Sequence, residues 1–348
     1  MPKRSNDDPP TTSARAGRRG PGMVDVARLA GVSHMTVSRV INDQPTVSQV
    51  TRQRVLAAMN ELGYRPNVAA RALVTGRTRT LGVISVDTTL YGPASMLLAI
   101  ERAARELDYS VSIASLPTLE RQTLRDAFDA LMSQAVEGII AITPHVSATA
   151  ALRHVPRDVP VVAVEGGKGP LPTVVVDQYL GATEATRHLL ELGHRTVAHI
   201  AGPPDWYEAQ ERERGWRDAL MATGRPVPEM VRGDWTPRSG YAAAQQLLTA
   251  PVTAVFAAND QMAIGALRAF REAGVSVPEQ VSLVGFDDIP EAEFFSPPLT
   301  TMRQEFGEVG RCGLELLLEQ VEGAPRTRRR VVIPPQFVIR ESTAPPTH

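Results

Sequence analysis

Carboxylate and amide side chains directly follow several apolar segments of this 348-residue chain. They are Asp87, Glu165, Asn259–Asp260 and Asp287–Asp288. At the carboxyl edge of a parallel sheet, such side chains can hydrogen-bond a small polar molecule. Acid–base catalysis would need a matched acid and base, and nothing in the sequence singles out such a pair. These residues therefore predict a small-molecule site, and an enzyme is the weakest interpretation.

A second group of reactive side chains lies in the segment GVSHMTVSRVIN, residues 31–42. Valine and isoleucine recur at helical spacing on one face, which predicts that this face packs against a core. The opposite face carries Ser33, His34, Met35, Ser38 and Arg39. A short helix that turns such side chains outward near its start is available for contact with a partner.

Motifs of common catalytic and nucleotide sites are absent from the sequence. No GxGxxG follows the first predicted strand, GGKGP at 166–170 lacks the frame of a phosphate loop, and neither GxSxG nor HExxH occurs. The seven histidines have no ligand spacing, and the single Cys312 excludes an intrachain disulfide. We expect no metal and no cofactor, with Cys312 a small packed residue in a helix.

Three short helices fit residues 23–63. Gly31 supplies the backbone freedom for a sharp turn after the first, and Ser33 is a good N-cap for the second. The third is expected to pack one apolar face, consisting of Val50, Val55, Leu56, Met59 and Leu62. Two helices separated by a three-residue turn are typical of a helix-turn-helix.

The segments on either side of these helices have a different character. Residues 1–22 lack a periodic apolar pattern, which predicts a disordered basic arm. The stretch between Pro66 and Gly76 allows barely two turns of helix, too few to be stable alone in water. We expect a partner copy or DNA to order it.

From Thr80 onward, predicted strands alternate with helices. The strands are TLGVISV, YSVSIAS, EGIIAIT, VPVVAV, TVAHIAG, TAVFAAND and VSLVGFDD. Two successive βαβ sets predict two doubly wound subdomains with a cleft between them. The fold class is thus α/β, with a small all-α headpiece and a short helix preceding a two-subdomain sensor.

Charge is distributed unevenly along the chain. Residues 1–80 carry 13 Lys and Arg against 5 Asp and Glu, whereas the remainder carries 24 against 33. Only the first part is expected to meet a polyanion. No apolar run approaches the ~18 residues of a membrane span, and the N-terminus lacks the apolar region of a secretory signal. We expect a cytoplasmic protein without a membrane partner.

Several segments resemble the lac repressor family of transcription factors. They are VDVARLAGVSHMTVSRVIN, GYRPNVAARAL, AGPP…GW, ANDQMAIGALRA and VSLVGFDDIPEAEFFSPPLTTMRQEF. The resemblance runs from about Gly22 to Thr343 and is closest to the sugar-responsive lac repressor branch. It implies an arm (1–22), a helix-turn-helix domain (23–66), a hinge helix and linker (67–78), a sensor (79–341) and a tail (342–348). Within the sensor it implies an N-subdomain of about 79–176 and 306–333, and a C-subdomain of about 177–302 and 334–341.

The resemblance implies that Ser33–Asn42 is a recognition helix in the DNA major groove. By position, His34, Met35 and Arg39 match residues that read bases. An arginine there can bond guanine O6 and N7, for roughly 1–3 kcal/mol of discrimination, and Met35 would prefer a thymine methyl. Backbone contacts are expected from Ser33, Thr36, Ser38, Asn42 and Arg71, of which the hydroxyl residues have helix capping as the alternative. Leu73 matches the apolar wedge of the hinge helix, which enters the minor groove.

The same resemblance places an effector site in the cleft. Asp287 and Asn259 match residues that bond sugar hydroxyls, and Arg212 matches a further hydroxyl contact. Trp235 and Phe306 match aromatic surfaces beside a sugar ring. We expect Asp287 to act without a compensating cation; its alternative role is a helix cap, and that of Trp235 is a core residue.

Two cleft positions depart from the lac repressor branch. Glu165 stands where that branch tends to have Asp, so its carboxylate is displaced by about one methylene. Trp206 and Tyr207 stand where small residues occur, and they either extend the aromatic surface or cover the rim. These departures bear on the identity of the sugar.

The function implied by the resemblance is a homodimeric repressor. The tetramer-forming C-terminal heptads of the family are missing, and twofold symmetry predicts a pseudo-palindromic operator with half-sites about one helical turn apart. A galactoside-like sugar or glycoside in the cleft would release the operator. A co-repressor mechanism, as in the purine-responsive branch, and a sugar-binding module without a regulatory role are the alternatives.

Overall fold

The computed structural model describes residues 21–42, 44–65, 76–86, 88–116, 121–146, 152, 155, 158–167 and 169–347. The chain divides between Thr78 and Arg79 into two compact units. Residues 1–20 of the predicted arm, residues 67–75 of the predicted hinge helix (with Arg71 and Leu73) and Asp87 lie outside the described residues.

The first unit contains three helices. They are α1 Met23–Ala30, α2 His34–Ile41 and α3 Gln49–Leu62. Val26, Val37 and Val55 are fully buried between them. α1 ends at Gly31, whose φ of 62° is left-handed. This conformation closes the helix end and turns the chain directly into α2.

The predicted apolar face of α3 is wrong at two positions. Val50 is 69% exposed and Leu56 is 51% exposed, whereas Val55 and Ala58 are buried. At about 100° per residue, Leu56 is rotated a quarter turn away from Val55. The core stripe of α3 is therefore narrower than the run of apolar residues in its sequence, and small Ala58 belongs to it.

The second unit alternates helices with strands. Its helices are α4 Tyr91–Glu106, α5 Arg121–Ser133, α6 Gln178–Glu191, α7 Tyr207–Ala222, α8 Pro237–Leu247, α9 Asp260–Glu272 and α10 Phe306–Val321. Its strands are β1 Thr80–Val86, β2 Ser110–Leu116, β3 Ile139–Ile142, β4 Val161–Val164, β5 Thr173–Val176, β6 Ala198–Ala201, β7 Val231–Arg232, β8 Ala254–Ala257, β9 Ser282–Val284, β10 Thr301–Arg303, β11 Arg330–Ile333 and β12 Gln336–Val338.

These strands form two parallel sheets and a short antiparallel pair. The larger sheet has six strands in the order β11-β5-β4-β3-β1-β2, and the smaller has four in the order β7-β6-β8-β9. β10 pairs with β12 in an antiparallel ladder. Because every neighbour within the two main sheets is parallel, the strand carboxyl ends of each sheet lie along one edge.

Apolar side chains project from both faces of the larger sheet. Leu81 and Val83 pack into one core with α4 and α10, while Ile84 and Val86 pack into another with α5. The smaller sheet also has two cores. Burial on both faces is typical of doubly wound sheets, so the predicted α/β fold class is confirmed. No helix in the described part of the chain is long and apolar enough to cross a membrane.

The sequence patterns identify seven of these strands and miss five, which are β5, β7, β10, β11 and β12. The missed strands have only two to four residues each. β3, β4, β6, β8 and β9 are equally short, so length does not separate the missed strands from the identified ones. The missed strands are held in place by pairing with a neighbour that the sequence pattern does not reveal.

Candidate functional site

The outward face of α2 is the candidate surface in the first unit. His34, Met35 and Arg39 are all exposed, Met35 by 63%. In the described part of this unit, no hydrogen bond or ion pair engages the Arg39 side chain. The structure thus leaves the three predicted base-reading side chains uncommitted on one short helix.

The start of α2 is fixed by Ser33. Its Oγ accepts a hydrogen bond from the Thr36 backbone N–H at 3.1 Å and contacts Thr36 Oγ1 at 2.9 Å. At the other end, Asn42 Nδ2 donates to Ser38 Oγ at 3.4 Å. The capping role considered for Ser33 is confirmed, and its hydroxyl orders the helix rather than projecting freely.

Arg54 supports the same turn and was not anticipated. Its guanidinium donates from α3 to the backbone carbonyls of Ala30 and Gly31. A cation at a helix C-terminus satisfies otherwise unpaired carbonyls. Arg54 therefore stabilises the turn between α1 and α2.

The predicted effector residues converge in one cleft of the second unit. All seven line it: Glu165, Trp206, Arg212, Trp235, Asn259, Asp287 and Phe306. The cleft, called the inter-sheet cleft below, contains about 520 Å³ of space between protein atoms, part of which is open to solvent. Its walls come from the carboxyl edges of both main sheets, as the strand-end residues predict.

Backbone pairing joins the two sides next to the cleft. Val146 N–H donates to Asp205 O at 2.9 Å, and Tyr207 N–H donates to Pro144 O at 2.8 Å. Beside this pairing the His145 ring packs on the Trp206 indole, with ring centroids 4.8 Å apart. These contacts hold the opposing walls together at this edge.

Arg212, on α7, is the buried cation of the cleft. Its Nε donates to Gln178 Oε1 at 2.9 Å, and Nη1 donates to the Ala258 carbonyl. Nη2 lies 3.5 Å from Asp287 Oδ1. The guanidinium carbon stands 3.8 Å over the Phe286 ring. Of the five N–H groups of a guanidinium, three are thus directed at protein atoms.

The expectation that Asp287 lacks a compensating cation is wrong, because Arg212 provides one. Asp287 Oδ1 also accepts from Gln304 Nε2 at 2.7 Å. Burial raises the pKa of the Asp287 carboxyl to about 6, and Arg212 opposes this rise. The sequence could not show this pairing because Arg212 lies on a helix 75 residues earlier in the chain.

Asn259 is the N-cap of α9, a type of role that the sequence analysis considered for Asp287 and not for Asn259. Its Oδ1 accepts from Met262 N–H at 2.9 Å at the start of α9, and its Nδ2 donates to the Trp235 carbonyl at 3.2 Å. Asn259 thereby holds the segment that carries the Trp235 indole. Its side chain lines the cleft while it performs this structural task.

Aromatic rings form part of the cleft wall. The Trp206 and Trp235 indoles meet edge to face with centroids 5.6 Å apart, and Tyr91 and Phe306 meet at 6.1 Å. Trp206 is buried and lines the cleft, so it extends the aromatic surface. Tyr207 is not a lining residue, and its hydroxyl accepts from Arg330 Nη2 at 2.9 Å.

Three cleft residues have a left-handed backbone. The φ angle is 52° at Glu165, 71° at Trp235 and 115° at Asp287. A non-glycine residue in such a conformation costs of order 1–3 kcal/mol and persists only where its surroundings enforce it. The surrounding contacts of Glu165 are its N–H bond to Val174 O (3.0 Å) and the Thr143 Oγ1 bond to its carbonyl (2.8 Å).

Glu208 is a cleft residue that the sequence analysis missed. It lies on α7, four residues before Arg212, and lines the cleft with only 7% exposure. Burial raises the pKa of its carboxyl well above the usual value, and the neighbouring Glu165 charge raises it further. Because Glu208 lies four residues before Arg212, both side chains are on one face of the helix. This spacing is the sequence signal that could have identified Glu208 as a cleft residue.

Glu165 faces the same space. Burial raises the pKa of its carboxyl to about 7, with Arg212 acting in the opposite direction. Among the described residues, no hydrogen bond of regular geometry engages Glu165 Oε1, Glu165 Oε2 or Glu208 Oε2. The Val176 backbone and the Gln178 side chain are nevertheless close enough to the Glu165 carboxyl to lower its pKa. Burial is the main cause of both raised pKa values, and a proton retained on either carboxyl lets the two bond each other.

The other strand-end carboxylates have structural roles. Asp260 is buried; its carboxylate accepts from Thr301 Oγ1 at 2.6 Å and from Ile289 N–H at 2.9 Å. Asp288 pairs with Arg303 and Arg340, each at 2.7 Å. Asp260 joins the start of α9 to β10 and to the loop after β9, and Asp288 joins that loop to Arg303 of β10 and to Arg340. Glu165, Glu208 and Asp287 are the acids that line the cleft.

Comparison with known proteins identifies both units. The model for bacterial regulatory proteins of the lacI family matches residues 22–67. The model for a periplasmic binding protein-like domain matches residues 186–343. These ranges cover the three-helix unit and much of the two-sheet unit.

Relatives match along nearly the whole chain. The regulator CelR of Thermobifida fusca is 38% identical over 342 residues, spanning 93% of this chain and 99% of its own. The lactose operon repressor of Escherichia coli K12 is 33% identical over 329 residues, spanning 93% of this chain and 91% of its own.

Solved structures match as well. A lac repressor dimer bound to operator and the anti-inducer ONPF has a TM-score of 0.81 at 32% identity, covering 94% of this chain and 100% of that chain. A CelR–cellobiose complex has a TM-score of 0.69 at 35% identity, covering 92% of this chain and 99% of that chain.

The chain therefore belongs to the lacI family of bacterial regulatory proteins. It is a helix-turn-helix transcription regulator with a periplasmic-binding-protein-like sensor, and the resemblance seen in the sequence is confirmed. The relatives are named as transcription regulators rather than enzymes.

Proposed function

We propose that this regulator is a repressor that a sugar or glycoside, bound in the inter-sheet cleft, releases from its operator. The observation that carries the proposal is the convergence of seven predicted side chains on that cleft. Carboxylate, amide and guanidinium groups suit sugar hydroxyls, and the indole and phenyl rings suit the apolar faces of a pyranose. The cellobiose complex of CelR supports this chemistry.

On the DNA side, His34, Met35 and Arg39 read base edges in the major groove. Their exposure and lack of internal partners support this role, because a base-reading side chain must be free to meet DNA. Thr36, Ser38 and Asn42 would contact the phosphate backbone, and Ser33 would contribute by capping. Arg71 on phosphate and Leu73 in the minor groove remain predictions from the resemblance.

The coupling between the two ligands follows from a two-state equilibrium. The sugar contacts both walls of the cleft, so it favours one relative arrangement of them. In a homodimer this shift separates the two hinge helices and lowers affinity for a pseudo-palindromic operator. Sugar and operator then weaken each other's binding by the same factor. The protein acts where the operator lies, in the cytoplasm with the nucleoid.

Catalysis is not part of the proposal, although Glu165 and Glu208 lie side by side in the cleft wall. Retaining glycosidases keep their carboxyl groups about 5 Å apart and inverting ones farther apart. Glu165 and Glu208 instead bond each other once one holds a proton. Two carboxyls that bond each other are not arranged for the separate acid and nucleophile roles of a glycosidase.

The proposal is tested with the purified full-length chain and the DNA upstream of its own gene. A mobility-shift assay with a panel of neutral and amino sugars should give a specific complex that one sugar dissociates. Turnover of the same sugars is measured in parallel. A complex that forms only when sugar is added would make the ligand a co-repressor, and sugar binding without any DNA complex would leave a plain sugar-binding module.

A further inference from the structure

The hydrogen-bond groups of the inter-sheet cleft are unequally satisfied. Asp287 is hydrogen-bonded by Gln304 and paired with Arg212, and Asn259 is hydrogen-bonded to the backbone at the start of α9. Among the described residues, the buried polar atoms of the cleft without a partner are three acceptors and one donor: Glu165 Oε1, Glu165 Oε2, Glu208 Oε2 and Trp235 Nε1. Glu165 is 6% exposed and Glu208 is 7% exposed, so both are largely buried in the cleft wall that they line.

The charges of the cleft are also unequal. Glu165, Glu208 and Asp287 line it, and the cation among the lining residues is Arg212. Arg212 already lies 3.5 Å from Asp287, and its remaining contacts are with neutral groups. Glu165 and Glu208 are thus two buried carboxyls near a single cation, Arg212, that is already paired with Asp287. Buried carboxylates without a partner are costly, and a proton retained by the pair relieves this cost only in part.

Building on the proposed function, we propose that the effector is a basic sugar whose protonated amine binds between Glu165 and Glu208. A primary ammonium presents three N–H donors and a positive charge. These match the three unpartnered acceptor atoms and the excess of acid. A neutral hydroxyl brings one donor and no charge, so it would leave acceptors unpaired.

The rest of the cleft is suited to the sugar ring that carries this amine. The Trp206 and Trp235 indoles and the Phe306 ring supply apolar surface beside the two glutamates. The Trp235 Nε1 donor lacks a protein partner and would donate to a hydroxyl oxygen of the ring. An aliphatic polyamine has the charge but offers neither the ring face nor the hydroxyl.

The direct test compares matched sugars on the full-length protein in an amine-free phosphate buffer. The probes are the β-1,4 disaccharide of glucosamine, its N-acetylated counterpart and cellobiose, together with glucosamine, galactosamine and mannosamine and their neutral parent sugars. Affinity is measured by calorimetry and by tryptophan fluorescence. We expect the tightest ligand to be an amine, at least about tenfold tighter than its neutral and N-acetylated counterparts.

Charge-removing variants locate the amine. Glu208→Gln and Glu165→Gln keep side-chain volume, and each should lower the ratio of amine affinity to neutral-parent affinity about tenfold or more. Glu211→Gln is the matched control, because Glu211 is on the same helix but pairs with Arg214 and does not line the cleft. It should retain the wild-type preference.

The outcomes separate this inference from the proposed function. A neutral or N-acetylated sugar that binds as tightly as its amine and dissociates the operator complex overturns the inference and leaves the repressor intact. An amine preference that survives both glutamine variants also overturns it. If no sugar of either kind binds or alters the operator complex, the sugar-responsive function itself fails.

Discussion

The outward face of α2 and the inter-sheet cleft are both candidate recognition surfaces, yet they are built in opposite ways. On α2, His34, Met35 and Arg39 stand in solvent without internal partners. In the cleft, Arg212 and Asp287 are buried and tied to each other, and Asp287 has a left-handed backbone. One surface consists of free side chains on a regular helix, and the other of side chains held within a hydrogen-bonded network.

The difference follows from what each surface binds. Operator DNA presents ordered base edges and closely spaced phosphate charges. The headpiece therefore needs only a stable helix with accessible side chains to bind it. A small ligand has few groups, and discrimination requires polar atoms fixed in a partly dry space. Substitutions on α2 should therefore change binding with little loss of stability, whereas those in the cleft should change both.

The largest effect is expected from Arg212→Met. Removing the guanidinium leaves Asp287 and the two glutamates without their shared cation, and loss of one partner of a buried ion pair costs about 3–5 kcal/mol. The free energy of unfolding of the second unit should fall by that amount. Tryptophan fluorescence during urea denaturation reports it, since all three tryptophans lie in this unit.

Arg214→Met is the control for this variant. Arg214 lies on the same helix and is 55% exposed, with Glu211 as its partner. An exposed ion pair contributes roughly 0–1 kcal/mol, so the control should lose little. Equal losses in the two variants would mean that the cleft network has no special energetic role.

A smaller effect is expected from the pKa of Glu165. Its rise from 4.5 to about 7 means that the folded chain holds this proton while the unfolded chain has released it. Between these pH values the folded state binds more protons, so stability falls as pH rises, by up to about 3 kcal/mol. Glu165→Gln should flatten that dependence and stabilise the second unit at neutral pH.

Urea denaturation at a series of pH values checks this prediction. Some slope should persist in the variant, because burial also raises the pKa of Asp287, to about 6. Stability that rises with pH across this window in the wild-type protein would contradict the sign. Glu211→Gln should leave the slope unchanged.

Sequence reasoning succeeded where the cause is local. The Ser33 cap and the Gly31 turn depend on residues within three or four positions, and seven of the strands were identified from their apolar runs. The seven cleft residues were found through the family resemblance, to which Glu165, Asn259 and Asp287 also contribute as residues at strand ends.

It failed where distant segments meet. Gln304 bonds Asp287, and Glu208 on α7 lies beside Glu165, which follows β4, but neither contact follows from a period or a motif. The exposure of Leu56 shows the same limit in the headpiece, since an apolar residue does not reveal which way its helix is rotated. Arg54 is a further case, because its carbonyl partners lie on another helix.

Arg39→Ala is expected to have an intermediate effect that is confined to DNA binding. Loss of a bidentate contact to guanine should cost about 1–3 kcal/mol at one operator base pair. Because Arg39 has no internal partner, unfolding of either unit should change by no more than about 0.5 kcal/mol. Competition binding against operators substituted one base pair at a time measures the loss of discrimination. Urea denaturation measures the change in the free energy of unfolding. Wild-type discrimination at every base pair would remove Arg39 from the base-reading set.

The smallest effect is expected at Ser33, where two variants separate capping from contact with phosphate. Ser33→Ala removes the acceptor for the Thr36 N–H and should destabilise the headpiece by about 1 kcal/mol. Ser33→Asp keeps an acceptor and should retain stability, but its charge should repel operator phosphate. Ser48→Ala is the control. Ser48 caps α3 in the same way, since its Oγ accepts a hydrogen bond from the Thr51 N–H at 3.3 Å. Amide hydrogen exchange in α2 measures headpiece stability, and operator titration measures binding. If Ser33→Asp binds operator like the wild type, Ser33 lies away from the phosphates and its role is confined to the cap.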